Sequence, residues 1–205
     1  IENKGIELAL RIVPVLTTSG FKWELYGTYT KNNNKVVSLG GGVQQLNLGG
    51  STRAQIVAQV GQPYGSFFAV DLLRDPNGNV VVDSSTGMPR VTPNLVYKGN
   101  YQPKFLASLG SNFTYKNISF GFLFDIKQGG KMFSRTKDVM AFVGTSKETE
   151  KREDYVWEGS VYENYQGNYV ANTTEFHPYD YYTNVVPDGQ HIIDASYVKL
   201  REMSL

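Results

Sequence analysis

The chain of 205 residues has no cysteine, only two histidines and almost no net charge, with 20 Lys and Arg against 19 Asp and Glu. Without cysteine, neither a disulfide framework nor a thiolate metal site is possible. Without a strong field of one sign, nothing favours binding to nucleic acid or to an anionic membrane surface. We therefore expect no metal, no cofactor and no nucleic-acid partner.

Long apolar runs are also absent, and no stretch approaches the roughly 18 residues that a membrane helix requires. This excludes only a helical span, because transmembrane β-strands alternate in polarity and look polar on average. The chain is rich in other residues, with 14 Tyr, 11 Phe and 21 Gly. Such a composition favours strands and tight turns over helices.

The most regular pattern in the sequence covers residues 118–127. Side chains alternate between the two faces of a strand. One face of this strand carries large apolar side chains: Ile118, Phe120, Phe122, Phe124 and Ile126. The opposite face is mostly polar: Ser119, Gly121, Asp125 and Lys127, with Leu123 as the exception. This pattern suits a wall between hydrocarbon and water, and it also suits one layer of a soluble sandwich.

Similar alternation predicts an all-β chain with five regular strands, near residues 5–13, 21–31, 105–115, 118–127 and 197–205. The connections alternate in length: short at 14–20, long at 32–103, short at 116–117 and long at 128–195. In an antiparallel up-and-down arrangement, every second connection lies at the same end of the sheet. We therefore expect two long loops at one end and two short turns at the other, as in transmembrane β-barrels. The predicted strands also have about the 9–11 residues that a tilted membrane strand needs.

Several separated segments resemble the barrel strands and loops of the SusC/RagA family, in the order that the family has them. They are NKGIEL (3–8), FKWEL (21–25), KNNNKVV (31–37), GQPYGSFF (61–68), DPNG (75–78) and IDASYVKLREMSL (193–205). The last segment is similar to the C-terminal barrel signature of that family. Because both ends of the chain fall within strand patterns, we expect it to be a piece of a longer protein.

The resemblance implies a TonB-dependent transporter in the outer membrane of a Gram-negative bacterium, which imports glycans, oligosaccharides or peptides. It implies a SusD-like surface lipoprotein as a lid, and a TonB complex that acts through a part missing from this chain. It also implies a barrel of about 22 strands around a plug. Residues 1–205 would form one partial barrel domain without the plug, in contact with lipid and with the rest of the same barrel.

Three groups of residues are candidates for roles in such a wall. The apolar face of 118–127 is expected to contact lipid, and Trp23, Phe105, Phe113 and Tyr115 to contact lipid or form an aromatic girdle. The charged side chains of the opposite face are expected to line the lumen: Glu7, Arg11, Lys22, Glu24, Asp125 and Lys127. Aromatic side chains of the second long loop are candidates for contact with solute or lid: Trp157, Tyr162, Tyr165, Tyr169, Tyr179, Tyr181 and Tyr182. Alternatively, these aromatics pack the core of the loop itself or form part of a girdle.

Signals for other chemistry are weaker. The oxygen-rich segment 75–79 begins like a calcium loop, but Thr86 stands where a bidentate Glu is required, so a polar hairpin turn is the better interpretation. His177 and His191 do not have the spacing of a compact zinc site. The acidic pairs Glu148/Glu150 and Glu153/Asp154 lie in a charged run at 147–154, which is typical of a solvated loop. We predict no enzymatic activity.

Two alternatives remain open. The first is a soluble carbohydrate-binding or adhesive β-sandwich, in which the apolar strand faces meet in a dry core. The second is a β-rich glycoside hydrolase, in which two loop carboxylates converge across a cleft. The surroundings of Phe120, Phe122 and Phe124 distinguish the membrane wall from the sandwich.

Overall fold

The computed structural model describes all 205 residues, and its main feature is a five-stranded antiparallel sheet. In spatial order the strands are β1 (Glu2–Leu16), β2 (Phe21–Lys35), β7 (Phe105–Tyr115), β8 (Ile118–Gln128) and β13 (Tyr197–Ser204). The sheet is open, and β1 and β13 form its two edges. The regular structure outside this sheet consists of eight further strands and a few short helices, so the predicted all-β class is confirmed.

Two β-bulges interrupt the alternation within the outer strands. In β1 the regular register ends at Ile12 and resumes at Val15, so that Pro14 lies within the irregularity, and the strand continues to Leu16. A second irregularity lies in β13 between Leu200 and Glu202. Each bulge adds a residue, so that the same face of the sheet stays apolar on both sides of it.

Short turns join the strands at one end of the sheet. At Gly20 the backbone has φ +90°, which only glycine adopts without strain, and the Thr17 hydroxyl accepts a hydrogen bond from the Phe21 amide at 3.0 Å. At the other turn Lys116 adopts φ +54° between β7 and β8. The two long connections, 36–104 and 129–196, leave from the opposite end of the sheet.

The sequence predicts the two long connections as loops. In the structure they fold together into one body, which we call the loop body (36–104 and 129–196). Its largest unit is a four-stranded sheet in the order β3–β4–β5–β6. These strands are β3 (Gln45–Gly50), β4 (Ala54–Gln59), β5 (Ser66–Ala69) and β6 (Val96–Asn100). Short pairs are formed by β9 (Lys131–Phe133) with β12 (Ile192–Asp194), and by β10 (Val161–Glu163) with β11 (Tyr169–Ala171).

Helices are few and short. The longest is α1 (Arg135–Phe142), whose N-terminus is capped by Ser134. Single helical turns occur at Gly40–Gly42, Lys147–Thr149, Pro178–Asp180, Tyr181–Val185 and Asp188–His191. None of these helices has the length and apolarity that crossing a bilayer requires.

The buried core of the molecule lies in the loop body and joins its two segments. Leu72, Val80 and Val82 of the first segment pack with Phe176 and Tyr181 of the second. Backbone pairing between Val81 and Val161 connects the same two segments. The Gln190 amide also donates a hydrogen bond to Asp71 Oδ1 at 2.6 Å. The two connections therefore stabilise each other above one end of the five-stranded sheet.

Candidate functional site

The first face of the five-stranded sheet is apolar and uncovered. The strand registers place Phe124 beside Leu109, Gly27 and Leu10 on one side and Leu200 on the other. The predicted lipid-facing residues Ile118, Phe120, Phe122, Phe124 and Ile126 all lie on this face. No second sheet covers it, since Leu8 and Leu10 are 62% and 61% exposed. The dry core that the sandwich alternative requires does not form between these strands.

Aromatic rings lie at both ends of the apolar face. Near the short turns, the ring of Phe113 stacks between Trp23 at 6.0 Å and Phe120 at 6.4 Å. Near the loop body, Tyr29 and Phe105 are 5.4 Å apart. Beyond that second pair the same face becomes polar, with Lys4, Lys31 and Gln128 in the corresponding positions.

The apolar band has a height that fits a membrane. From Ile118 to Ile126 the strand advances eight residues, or about 27 Å at about 3.4 Å per residue. If the strands are tilted by about 40° from the membrane normal, this length projects to a height of about 20 Å along that normal. The apolar band of transmembrane β-barrels is of similar height, roughly 25 Å. Aromatic rings at both borders are a further property of such bands.

The second face of the sheet is polar, and all six predicted lumen-facing residues lie on it: Glu7, Arg11, Lys22, Glu24, Asp125 and Lys127. Near the short turns, Arg11 and Lys22 both pair with Glu24, the latter at 3.0 Å. Their side chains cover the Glu24 carboxylate, which leaves that residue only 6% exposed. Tyr26 lies on the same face over Gly110, where any Cβ would collide with its ring.

A second charged cluster on the polar face was not predicted. Asp125 Oδ2 accepts hydrogen bonds from Arg201 Nη2 at 2.6 Å and from the Tyr197 hydroxyl at 3.3 Å. Arg201 is the extra residue of the bulge in β13, and a bulge changes the direction of the side chain at its position. Alternation from Leu200 places Arg201 on the polar face. However, Leu200 and Met203 are both apolar at an odd spacing, so the sequence does not show which residues of β13 pair with those of β8. Leu16, Leu106 and Leu123 are large apolar exceptions on this face.

The seven aromatic residues of the second long connection were predicted as one group that contacts solute or lid. In the structure some of them pack in the core of the loop body and others lie on its surface. Tyr181 is 3% exposed, and Trp157 and Tyr162 pack against the same core. Tyr182 donates its hydroxyl hydrogen bond to the Glu148 carbonyl at 2.7 Å, and burial raises its pKa to about 12. The exposed members are Tyr165, Tyr169 and Tyr179. Sequence reasoning missed the partners Tyr155 and Phe176, whose rings are 4.6 Å apart.

The oxygen-rich segment 75–79, which begins like a calcium loop in the sequence, forms a turn closed by Asp75. Asp75 accepts hydrogen bonds from the amides of Asn77 and Asn79 at 2.9 and 2.7 Å, so its carboxylate closes the predicted hairpin turn. These hydrogen bonds hold the pKa of Asp75 below its ordinary value despite partial desolvation. No group of three His, Asp or Glu side chains is arranged to hold a metal ion.

The two histidines lie apart in different surroundings. His177 is exposed and pairs with Asp154 through Nδ1. His191 is buried, and neither of its ring nitrogens has a hydrogen-bond partner, although Nε2 lies 3.5 Å from Asp138 Oδ1. Burial lowers the pKa of His191, and the nearby Asp138 carboxylate only partly opposes this effect. Neither imidazole ring forms a hydrogen bond with a hydroxyl group.

Comparison with known proteins finds neither a family model nor a curated protein that matches the chain. Among solved structures, it is similar to a chain of the RagAB peptide transporter, with a TM-score of 0.57 and 14% sequence identity. The match covers 98% of this chain and 22% of that chain, so the chain spans about a fifth of its length. At this level of identity the similarity shows a common fold. The five-stranded sheet with its loop body therefore shares its fold with one part of that chain.

Proposed function

We propose that the chain forms part of the wall of a TonB-dependent outer-membrane transporter of the SusC/RagA type, in a Gram-negative bacterium. The five-stranded sheet is then a segment of an up-and-down barrel of about 22 strands that surrounds a plug. The apolar face contacts lipid, the polar face lines the lumen and the loop body is extracellular. The solutes are peptides, oligosaccharides or other glycans.

The observation that carries this proposal is the exposed apolar face with aromatic rings at both borders and charged residues behind it. In water, so large an apolar surface would be unfavourable at about 25 cal/mol per Å². In a bilayer the same surface is the stable arrangement, and the polar face is then solvated by water in the lumen. The similarity in fold to a peptide transporter chain supports the same interpretation.

The partners follow from the same proposal. A SusD-like surface lipoprotein covers the extracellular side, where the loop body and its exposed Tyr165, Tyr169 and Tyr179 are available for contact. The TonB complex acts through a part of the transporter outside this chain. We also propose that the chain has no enzymatic activity, which is supported by the exposure of the acidic side chains in the charged run at 147–154.

The two tryptophans of the chain provide a direct test of lipid contact. Trp23 lies on the apolar face, and Trp157 lies in the core of the loop body. In the whole transporter, with every tryptophan outside this chain replaced by Phe, the Trp157→Phe variant reports on Trp23 alone and the Trp23→Phe variant reports on Trp157 alone. Each is reconstituted into liposomes of phosphatidylcholine brominated on its acyl chains, and the fluorescence is compared with that in unbrominated lipid.

We expect brominated lipid to quench Trp23 strongly and Trp157 hardly at all. Because Trp23 lies near the short turns, bromine close to the headgroup should quench it more than bromine near the bilayer centre. Equal quenching of the two tryptophans, or no quenching of Trp23, would contradict the proposed wall. The Trp157 reading is the internal control for non-specific association with vesicles.

A further inference from the structure

A pocket in the loop body is separate from both faces of the five-stranded sheet. It lies between the C-terminal end of α1 and the segment 177–183, and its cavity volume is about 320 Å³. Ala141, Thr149 and Pro178 form its buried floor. This volume lies at the lower end of the range for ligand sites in proteins, about 300–1,000 Å³.

One side of the pocket is apolar and exposed. Phe142, Val143 and Tyr179 line it without any other element packed over them. Tyr182 adds a third aromatic ring, and its hydroxyl donates a hydrogen bond to the Glu148 carbonyl. The aromatic faces are therefore available for an apolar group, for which rings of this kind provide a large and rigid contact area.

The other side of the pocket carries two cations without carboxylate partners. Lys151 and Arg152 line the pocket, and neither forms an ion pair. The Arg152 guanidinium is held against the wall by a 2.7 Å hydrogen bond to the Gly144 carbonyl, which leaves most of its donors free. The Lys151 ammonium lies 4.0 Å from the centre of the Tyr155 ring.

The acidic residues nearby do not neutralise these two cations. Asp154 pairs with His177, and Glu148 lies 3.6 Å from Lys137. Glu150 and Glu153 are exposed on the same segment but do not line the pocket. The pocket therefore combines unpaired positive charge with aromatic surface, which is complementary to a carboxylate next to an apolar group.

We propose that this pocket binds the C-terminal residue of a peptide, with its carboxylate on Arg152 and Lys151 and its apolar side chain against Phe142, Tyr179 and Tyr182. Guanidinium and ammonium groups bind carboxylates through charge-assisted hydrogen bonds, which are about twice as strong as neutral ones. The inference rests on the proposed function, in which peptides are one class of solute. It narrows that class to peptides that end in an apolar residue with a free carboxylate.

The test is binding of two short peptides to the detergent-solubilised protein, measured by titration calorimetry. Both are acetyl-Ala-Ala-Phe, one with a free C-terminal carboxylate and the other with a C-terminal amide. We expect the acid to bind up to about 25-fold more tightly, because its carboxylate forms two exposed ion pairs and each contributes up to about 1 kcal/mol, or about fivefold in Kd. A third peptide that ends in Ser should bind more weakly than the one that ends in Phe.

Variants then assign the preference to the pocket. Lys151→Gln should weaken binding of the acid about fivefold and leave binding of the amide unchanged. Lys147→Gln, in the same exposed segment but outside the pocket, is the matched control and should change neither. Arg152→Gln should act like Lys151→Gln. If Arg152→Gln disturbs the loop through its lost bond to Gly144, the Lys151 variant still decides.

The proposal is overturned if the acid and the amide bind equally, if neither binds, or if the Lys147 and Lys151 variants behave alike. Such a failure is distinguishable from failure of the proposed wall. Quenching of Trp23 by brominated lipid does not involve the pocket. Lipid contact without peptide binding would refute the pocket alone.

Discussion

The five-stranded sheet and the loop body distribute similar side chains in opposite ways. In the loop body Val81 and Val82 are completely buried, as in any protein that folds in water. In the sheet Leu8 and Leu10 are mostly exposed, while Glu24 is covered by its charged neighbours. Apolar residues occupy successive positions in the loop body, as at Val81 and Val82, whereas they alternate with polar residues along the strands of the sheet. The difference teaches that alternation identifies an apolar face but does not say what covers that face.

The largest expected effect concerns the core of the loop body. Phe176→Ala removes a ring that contacts Tyr155, Trp157 and Tyr181, and such truncations cost about 3–5 kcal/mol of unfolding free energy. Urea unfolding of the loop body, followed by Trp157 fluorescence in a Trp23→Phe background, measures this loss. The matched control Tyr165→Ala removes a side chain that is 96% exposed and should change stability by less than about 0.5 kcal/mol. Equal effects of the two variants would show that the loop body has no ordinary core.

The next effect concerns the two faces of the sheet at one depth. Leu109 and Ser108 are neighbours in β7 and lie on the apolar and the polar face, respectively. Leu109→Arg places a charge in hydrocarbon near the middle of the band and should destabilise the reconstituted protein by about 2–4 kcal/mol. Ser108→Arg places the same charge in the aqueous lumen and should cost less than about 1 kcal/mol, because lumen positions are solvated.

These two arginine variants are compared by urea unfolding in liposomes, with Trp23 fluorescence as the signal in a Trp157→Phe background. Leu109→Arg is harmful only if lipid or another protein layer covers the apolar face. If both variants have similarly small effects on the free energy of unfolding, both faces of the sheet contact water. That result would remove the proposed difference between the sheet and the loop body.

The sequence predicted the sheet better than the loop body for a physical reason. In β8 a large apolar residue occupies every second position from Ile118 to Ile126. Once the face of one of these residues is known, the faces of all the others follow. At Ile12–Val15 and Leu200–Glu202 a bulge breaks the period of two, and alternation cannot say which residue is the extra one. The break is visible in the sequence afterwards, because Leu200 and Met203 share a face at an odd spacing.

The loop body was predicted poorly because its core joins residues that are far apart in the chain. Val80 and Val82 pack against Phe176 and Tyr181, about 95 residues later. No local pattern distinguishes Tyr181, which is buried, from Tyr179, which is exposed. Similarly, the pocket brings Phe142 together with Tyr179 only through the tertiary fold. For such sites the sequence provides the residue types, and the fold decides which of them meet.

The smallest expected effect is a pH dependence that belongs to the loop body alone. Burial lowers the pKa of His191 from its ordinary value of 6.5, while charges on Asp138, Lys137, Glu148 and Asp188 act on it in both directions. Between pH 6.5 and the lower folded-state value, the unfolded chain binds a proton at this site and the folded chain does not. The free energy of unfolding of the loop body should therefore fall as the pH falls through this window.

His191→Gln, which cannot titrate, should flatten that decline, whereas His177→Gln at an exposed site should leave it in place. Urea unfolding at pH 7.5 and pH 5.5, followed by Trp157, gives the comparison. Unfolding of the sheet, followed by Trp23 in the same experiments, should not show the pH dependence that His191→Gln removes. The reason is that His191 and its ring partner Phe133 both belong to the loop body. A decline that persists in His191→Gln would mean that the histidine is protonated equally in both states. The buried and unpartnered ring would then have no influence on the folding equilibrium.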